Sequence, residues 1–346
     1  MKERDLSLDI IRIIACVMVV IMHSPMPSSR ANGLFLSSLS YFTAPCIGLF
    51  FMVSGALLLP PPQKRQEHCI TAGSFLRKRL NKVLFPTVVW SFLYILHNYL
   101  NGSMEWHDIM KSVMSLPLSA QGNGVLWFMY TLLGLYLLTP ILHGWIRCTS
   151  QKEICFYLML WCVTLFYPIL KNLLAVNETN TGVLYYFSGY VGYFVFGYWL
   201  QNYGDRIGDK LVILMMTVSV VCPVIVKLMH CQVDFYEVFW YLSVFVAMQC
   251  LFWWKMAKAL IAKFSFGIKV RNISAILSNL SFGVYLSHIF IMRGVLWNIE
   301  WIKNIPSQMI QTVVVAILTL LIAFGLSYAI SMTVMGNVIV GYSNKK

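Results

Sequence analysis

The feature that most limits what this chain can become is its series of long apolar blocks, each bounded by short polar or basic stretches. A helix needs about 20 apolar residues to cross roughly 30 Å of hydrocarbon. A soluble core helix would show a polar face at every turn, and most of these blocks show none. Ten of them read as spans, at 8–25, 39–59, 83–100, 124–142, 154–171, 183–201, 211–229, 236–254, 276–298 and 309–331. The expected fold class is all-α, a polytopic membrane helix bundle of about ten transmembrane helices, in a single integral-membrane domain over 1–346. Composition points the same way. Charged residues make up 11% of the chain, where a soluble domain carries about 25%.

The first block carries Asp9 and Arg12 and follows Lys2 and Arg4, so it invites comparison with a signal peptide. Arg12 interrupts its apolar region and no A-x-A cleavage site follows, so it reads as a retained helix.

The net charge of +13 raises the question of nucleic acid. The distribution of Lys and Arg answers it. With the N-terminus placed in the cytosol, 19 of the 26 fall on inner segments, including Lys64, Arg65, Arg77, Lys78, Arg79 and Lys82 in one loop. Six fall on the outer side or its edge (Arg30, Lys111, Lys171, Lys227, Arg293 and Lys303), and Arg12 lies within the first span. This asymmetry is that of a membrane protein with both termini cytosolic. It accounts for the basic balance without a nucleic-acid partner. The outer loop 101–123 holds Trp106, His107, Asp108 and a Gln121-Gly122-Asn123-Gly124 turn.

Nine cysteines are an odd number, and most sit inside apolar blocks. None has C-x-x-C or Cys/His spacing for zinc, so neither a disulfide framework nor a metal site is expected. Soluble catalytic signatures are also missing. There is no G-x-S-x-G, P-loop, G-x-G-x-x-G or H-E-x-x-H.

Ionisable groups inside a span cost about 2.5–3.5 kcal/mol each at the helix centre, so they are the first functional candidates. The first span holds Asp9, Arg12 and His23. Eleven residues separate Arg12 from His23, which is three turns plus roughly 20°, so the two share a face about 16.5 Å apart. They would mark two stations along one helix. The same spacing also fits an Arg12 that snorkels to headgroups and a His23 that caps the helix end. Asp9 stands one turn before Arg12 and could pair with it. Pro25 biases Ser24 away from helix, so the helix should end near His23.

The third span opens on Arg77, Lys78, Arg79 and Lys82. This patch suits a positive-inside anchor, or an anion site for a phosphorylated cytosolic substrate such as coenzyme A. The ninth span places Tyr285 one turn before His288, where the two can form a structural pair or part of a site. Trp127 opens the fourth span at the level of an aromatic belt.

Five stretches in this order resemble the integral-membrane acyltransferase-3 family over nearly the full length. They are Leu8-Asp-Ile-Ile-Arg12 through His23, Leu49-Phe-Phe-Met-Val-Ser-Gly55, Arg79-x-x-Lys82 leading to Pro86, Leu126-Trp-Phe, and Ser281-Phe-Gly-Val-Tyr-Leu-Ser-His288. The resemblance implies transfer of an acyl group, most often acetyl, from cytosolic acyl-CoA to a hydroxyl of a surface polysaccharide or lipid-linked sugar. It implies His23 and Arg12 as catalytic residues and Arg79, Lys82, Arg77 and Lys78 as the donor-binding patch. The family's basic pair is usually Arg-x-x-Arg; here Lys82 replaces the second arginine and lacks its bidentate fork. No cofactor is expected to be bound, acyl-CoA being a substrate. Many relatives carry a fused soluble esterase-like domain; here a partner, or no second step, is expected instead. The expected setting is multi-pass in the cell membrane, the inner or plasma membrane of a bacterium. Assembly with further copies of the chain is left open. The competing reading is a transporter or flippase for a polysaccharide or glycolipid, which would have no need of His23 for proton transfer.

Overall fold

The computed structural model of the protein describes residues 4–27, 33–62, 71–116, 118, 126–174, 182–229 and 233–342. The side chains of Lys78 and Leu80 lie outside the described set, as do Lys2, Arg30, Lys64, Arg65, Lys345, Lys346 and the turn at 121–124. Sixteen α-helices follow one another, and no strand occurs among the described residues. In order they are α1 (Leu6–His23), α2 (Gly33–Thr43), α3 (Pro45–Leu58), α4 (Ala72–Leu100), α5 (Trp106–Ser115), α6 (Trp127–Cys148), α7 (Gln151–Thr164) and α8 (Tyr167–Leu174). Then come α9 (Val191–Tyr203), α10 (Asp209–Leu228), α11 (Phe235–Val238), α12 (Val244–Lys263), α13 (Ile268–Gly294), α14 (Glu300–Lys303), α15 (Gln308–Ser331) and α16 (Gly336–Ile339).

Nine helical segments among the described residues are long and apolar enough to cross a membrane. The protein is therefore a polytopic helical bundle. The segment expected at 183–201 differs from the others. Its helix, α9, has 13 residues and rises only about 19.5 Å, short of the roughly 30 Å of hydrocarbon. The cause is Gly189 at φ +90°. A right-handed helix cannot pass through that conformation, so the chain before it turns aside into a 3₁₀ turn at Tyr185–Phe187. The block expected at 39–59 is two helices, broken at Ala44 with Pro45 opening the second. The block at 236–254 starts later, because Ser243 caps α12 by accepting from the Val246 amide. The segment expected as an outer loop contains α5, whose Trp106, Met110 and Met114 form an exposed apolar stripe at helical spacing.

The chain forms two compact units. Unit 1 comprises the described residues of Met1–Met22, Asn32–Cys69 and Ile141–Ser274; unit 2 comprises those of His23–Ala31, Ile70–Pro140 and Ala275–Lys346.

Unit 1 is organised around α3 and α9, whose backbones nearly touch. A Cβ at Gly55 would lie 1.7 Å from the Phe194 carbonyl oxygen, and one at Gly197 would lie 2.0 Å from that of Met52. Without a hydrophobic force between helices in lipid, such close backbone approach is how membrane helices gain packing energy. At one end of this unit Asp5 caps α1. Its carboxylate accepts from the Ser7 amide at 2.9 Å and hydroxyl at 2.6 Å, from Gln201 at 2.8 Å and from Lys258 at 3.5 Å. Burial alone would raise the Asp5 carboxyl, but the Ser7 hydrogen bonds, the Lys258 charge and the Gln201 amide hold it below its ordinary 3.8. Seven cysteines among the described residues are free thiols.

Unit 2 is built on α4, α13 and α15, with α16 folded back on α4. Trp90 donates its indole N–H to the Ile339 carbonyl at 2.9 Å. A Cβ at Gly283 of α13 would meet the Ser327 hydroxyl of α15 at 2.7 Å.

Candidate active site

α1 closes at His23, where Pro25 turns the chain out of the helix. The His23 ring lies against that of His288, with centroids 5.4 Å apart and planes tilted by 42°. Both belong to unit 2. His288 is fully buried, whereas His23 is partly open. Two imidazolium charges at that separation would repel by about 3 kcal/mol at an effective dielectric of about 20, so the pair holds at most one extra proton.

The tautomer of His288 follows from its partner. Its Nδ1 stands 2.5 Å from the Tyr285 carbonyl oxygen. A carbonyl only accepts, so Nδ1 carries the hydrogen and Nε2 carries a lone pair. That Nε2 is buried and has no hydrogen-bond partner among the described residues. A buried acceptor left without a partner costs free energy, and at a functional site it is where a substrate group is received.

Tyr94 of α4 shapes the helix turn that carries His288. Its hydroxyl donates to the Leu286 carbonyl at 3.0 Å and accepts from the Phe290 amide at 3.2 Å. An α-helix pairs those two groups with one another. The phenol thus inserts at the one turn that has His288 at its middle, a recognised cause of local helix distortion. Tyr94 is buried and its ring packs against Trp90 and Phe290.

Several residues proposed from sequence come together here. Tyr285 lies 5.5 Å from the His288 ring and 5.1 Å from Phe128, and Trp127 meets Phe128 edge-on at 6.4 Å. His23, His288, Tyr285, Phe128 and Trp127 therefore form one continuous row of rings. The Tyr285–His288 contact uses the tyrosine's backbone carbonyl, not its phenol, for the hydrogen bond to the imidazole.

The remaining candidates are not in this row. Arg12 is half-buried on the same helix as His23, eleven residues earlier. Asp9 is buried and takes a two-pronged ion pair from Arg4, at 2.6 and 2.7 Å. Arg77, Arg79 and Lys82 are exposed on the first turns of α4, ahead of Pro86. The same helix supplies Tyr94, so the exposed cations and the phenol that bridges the His288 turn lie on one element. Among the described residues no group of three His, Cys, Asp or Glu could hold a metal ion.

Sequence reading missed three contributors. Tyr94 gives no motif, being one aromatic residue among many in an apolar span. Phe128 sits inside the Leu126-Trp-Phe stretch and was overshadowed by Trp127. Arg293 reads as an outer-edge charge, yet it lies on α13 five residues after His288, with its guanidinium 5.3 Å over the Trp297 ring.

A many-pass helical membrane protein with a buried histidine pair and an exposed cationic helix start is the class that fold and site define. The acyltransferase-3 family model, described as an acyltransferase domain, matches residues 5–332. The chain belongs to this family of membrane acyltransferases, and it acts between an acyl donor and an acceptor. No curated protein and no solved structure matches it significantly.

Proposed function

We propose that this acyltransferase moves an acyl group, acetyl in the first instance, from cytosolic acyl-CoA to a hydroxyl of a surface polysaccharide or lipid-linked glycan in the cell membrane. The observation that carries the reading is the His23–His288 pair with its unpartnered Nε2 lone pair. A sugar hydroxyl is a poor nucleophile until a base takes its proton. His23 is the more accessible ring and is assigned that task. As the oxygen attacks the thioester carbon, the hydroxyl proton passes to imidazole. The C–S bond then breaks, and the proton is returned to the departing thiolate, giving an ester and free coenzyme A. His288, with its Nε2 lone pair free, is assigned the role of packing against His23 and receiving a hydrogen-bond donor of the substrate. Arg79 and Lys82, with Arg77 and Lys78, are assigned to the donor's phosphates, and Arg12, on the helix that ends at His23, is assigned to the same donor. Apolar surroundings exclude water and limit wasteful thioester hydrolysis.

The test is the acyl content of the cell's surface glycan with His23→Ala, His288→Ala and the double variant, each matched for membrane-inserted protein. Loss of a general base lowers rate by about 10²–10⁴-fold. Rings that act as one unit give single and double losses of similar size. His23→Gln keeps a hydrogen-bond donor but cannot take a proton, so it should behave as His23→Ala does. Near-normal acylation in His23→Ala would remove His23 from the mechanism.

A further inference from the structure

Unit 1 contains a cavity that the proposed chemistry does not use. It has a volume of about 230 Å³ and is walled by Trp145, Tyr157, Trp161, Tyr186 and Phe187, with Val195 at its base. The walls are ordered against one another. Tyr157 stacks on Phe187 at 5.9 Å and 24°, and Trp145 meets Tyr157 edge-on at 5.4 Å. The floor is fixed by two contacts. Trp161 donates its indole N–H to the Gly189 carbonyl at 3.0 Å. Its ring also lies on Gly192, where an added Cβ would fall 2.1 Å from the indole. The same Gly189 that shortens α9 therefore anchors the cavity floor.

Position and size limit the occupant. The volume is below the roughly 300–1,000 Å³ of a site that encloses a whole drug-sized ligand, so it suits a segment of a longer molecule. Tyr186, on one wall, is 84% exposed, so the cavity opens sideways. Along α7, Tyr157, Leu158 and Trp161 stand about 9–15 Å from Gln151 at the helix start. The headgroup layer on each side of a bilayer is about 5–7.5 Å thick, so these residues lie at hydrocarbon depth when Gln151 lies among headgroups. Gln151 itself holds Arg206, whose guanidinium donates to Gln151 Oε1 at 3.0 Å and stands over Tyr203. Lys152 is exposed on the same turn. Of the acids nearby, Glu153 is taken up by the Ser150 capping box and Asp209 pairs with Lys255, leaving Asp205.

We propose that unit 1 carries a binding site for an anionic bilayer phospholipid, with one acyl chain in the aromatic cavity and the phosphate on Arg206 and Lys152. The aromatic walls give the chain contact along its length, and Arg206 is oriented by Gln151 before the lipid arrives. The separation between cation and cavity matches that between a phosphate and its chain's methylenes. The site is independent of the acyl-transfer reading, since none of its residues belongs to the histidine site.

The experiment uses the full chain in phosphatidylcholine vesicles carrying a trace of phosphatidylglycerol with a diazirine on its acyl chain. After photolysis, the labelled peptides are mapped by mass spectrometry. Label is expected on Tyr157 and Phe187, about 30-fold above that from the same probe with a choline headgroup, given near 1 kcal/mol for each of the two surface cations. V195F fills the cavity and should abolish this label while label on other lipid-facing peptides persists. K152Q with R206Q should bring the headgroup preference close to one and leave the chain label in place. Equal labelling by the two headgroups in the wild type would overturn the proposal, and needs no variant. So would label that survives V195F, or a stronger signal from a polyprenyl phosphate probe than from phosphatidylglycerol.

Discussion

Replacing Tyr94 by Phe tests whether the α13 turn that its hydroxyl bridges serves the site. The change removes one oxygen and with it two hydrogen bonds, to the Leu286 carbonyl and from the Phe290 amide. The ring stays packed against Trp90 and Phe290. The freed carbonyl and amide are natural helix partners and can bond to each other, so neither is left unsatisfied. The stability loss is therefore that of about one hydrogen bond, roughly 0.5–1.5 kcal/mol. The rate should suffer more. Closing that turn moves His288, which sits midway between residues 286 and 290, and a displacement near 1 Å costs about 100-fold in a positioned reaction. The assay is acyl transfer to acceptor per amount of folded protein, with thermal unfolding measured in the same detergent. Trp90→Phe is the control. It removes a hydrogen bond of similar worth, to the Ile339 carbonyl, and keeps an aromatic ring against Phe290 and both hydrogen bonds of the Tyr94 hydroxyl. Wild-type transfer by Tyr94→Phe, or equal loss in both variants, would refute the argument.

Three further outcomes are expected. Gly55→Ala forces α3 and α9 apart, since the new Cβ would fall 1.7 Å from the Phe194 carbonyl oxygen; a loss of about 1–3 kcal/mol or more should show in thermal unfolding, and an unchanged midpoint would contradict the packing described. Asp5 has a lowered folded-state pKa, so its contribution is fully present above about pH 4 and is lost as pH falls below that through the folded value; acid titration of unfolding should show Asp5→Asn less stable than wild type at neutral pH, with the gap closing under acid. Neutralising Arg79 and Lys82 together should weaken acyl-CoA binding to the purified protein while leaving its melting unchanged, because exposed charges contribute little to folding; unchanged affinity would detach the patch from the donor.

The proposed site rests on elements drawn from opposite ends of the chain. α1 delivers His23 at its last residue, and α13 delivers His288 from a buried mid-helix position. Tyr285 contributes twice, by its carbonyl to the His288 tautomer and by its ring to the row ending at Trp127.

Sequence alone determined that this chain lives in a bilayer, because apolar runs of that length have no other stable solvent. It also determined where α1 ends, since Pro25 acts locally, and it singled out His23 and His288 because ionisable groups are costly in a span. Only the tertiary structure decided that these two rings are neighbours, because helix packing and not spacing along the chain brings them together. It likewise decided that Asp9 answers to Arg4, for one helical turn permits Arg12 but does not require it. The shortness of α9 was hidden by an apolar run whose interruption depends on the backbone sign of Gly189, which hydropathy does not register. Gly55 stood in a recognisable stretch, yet its reason, a carbonyl oxygen 1.7 Å from where a methyl would be, belongs to a neighbouring helix that no local pattern encodes.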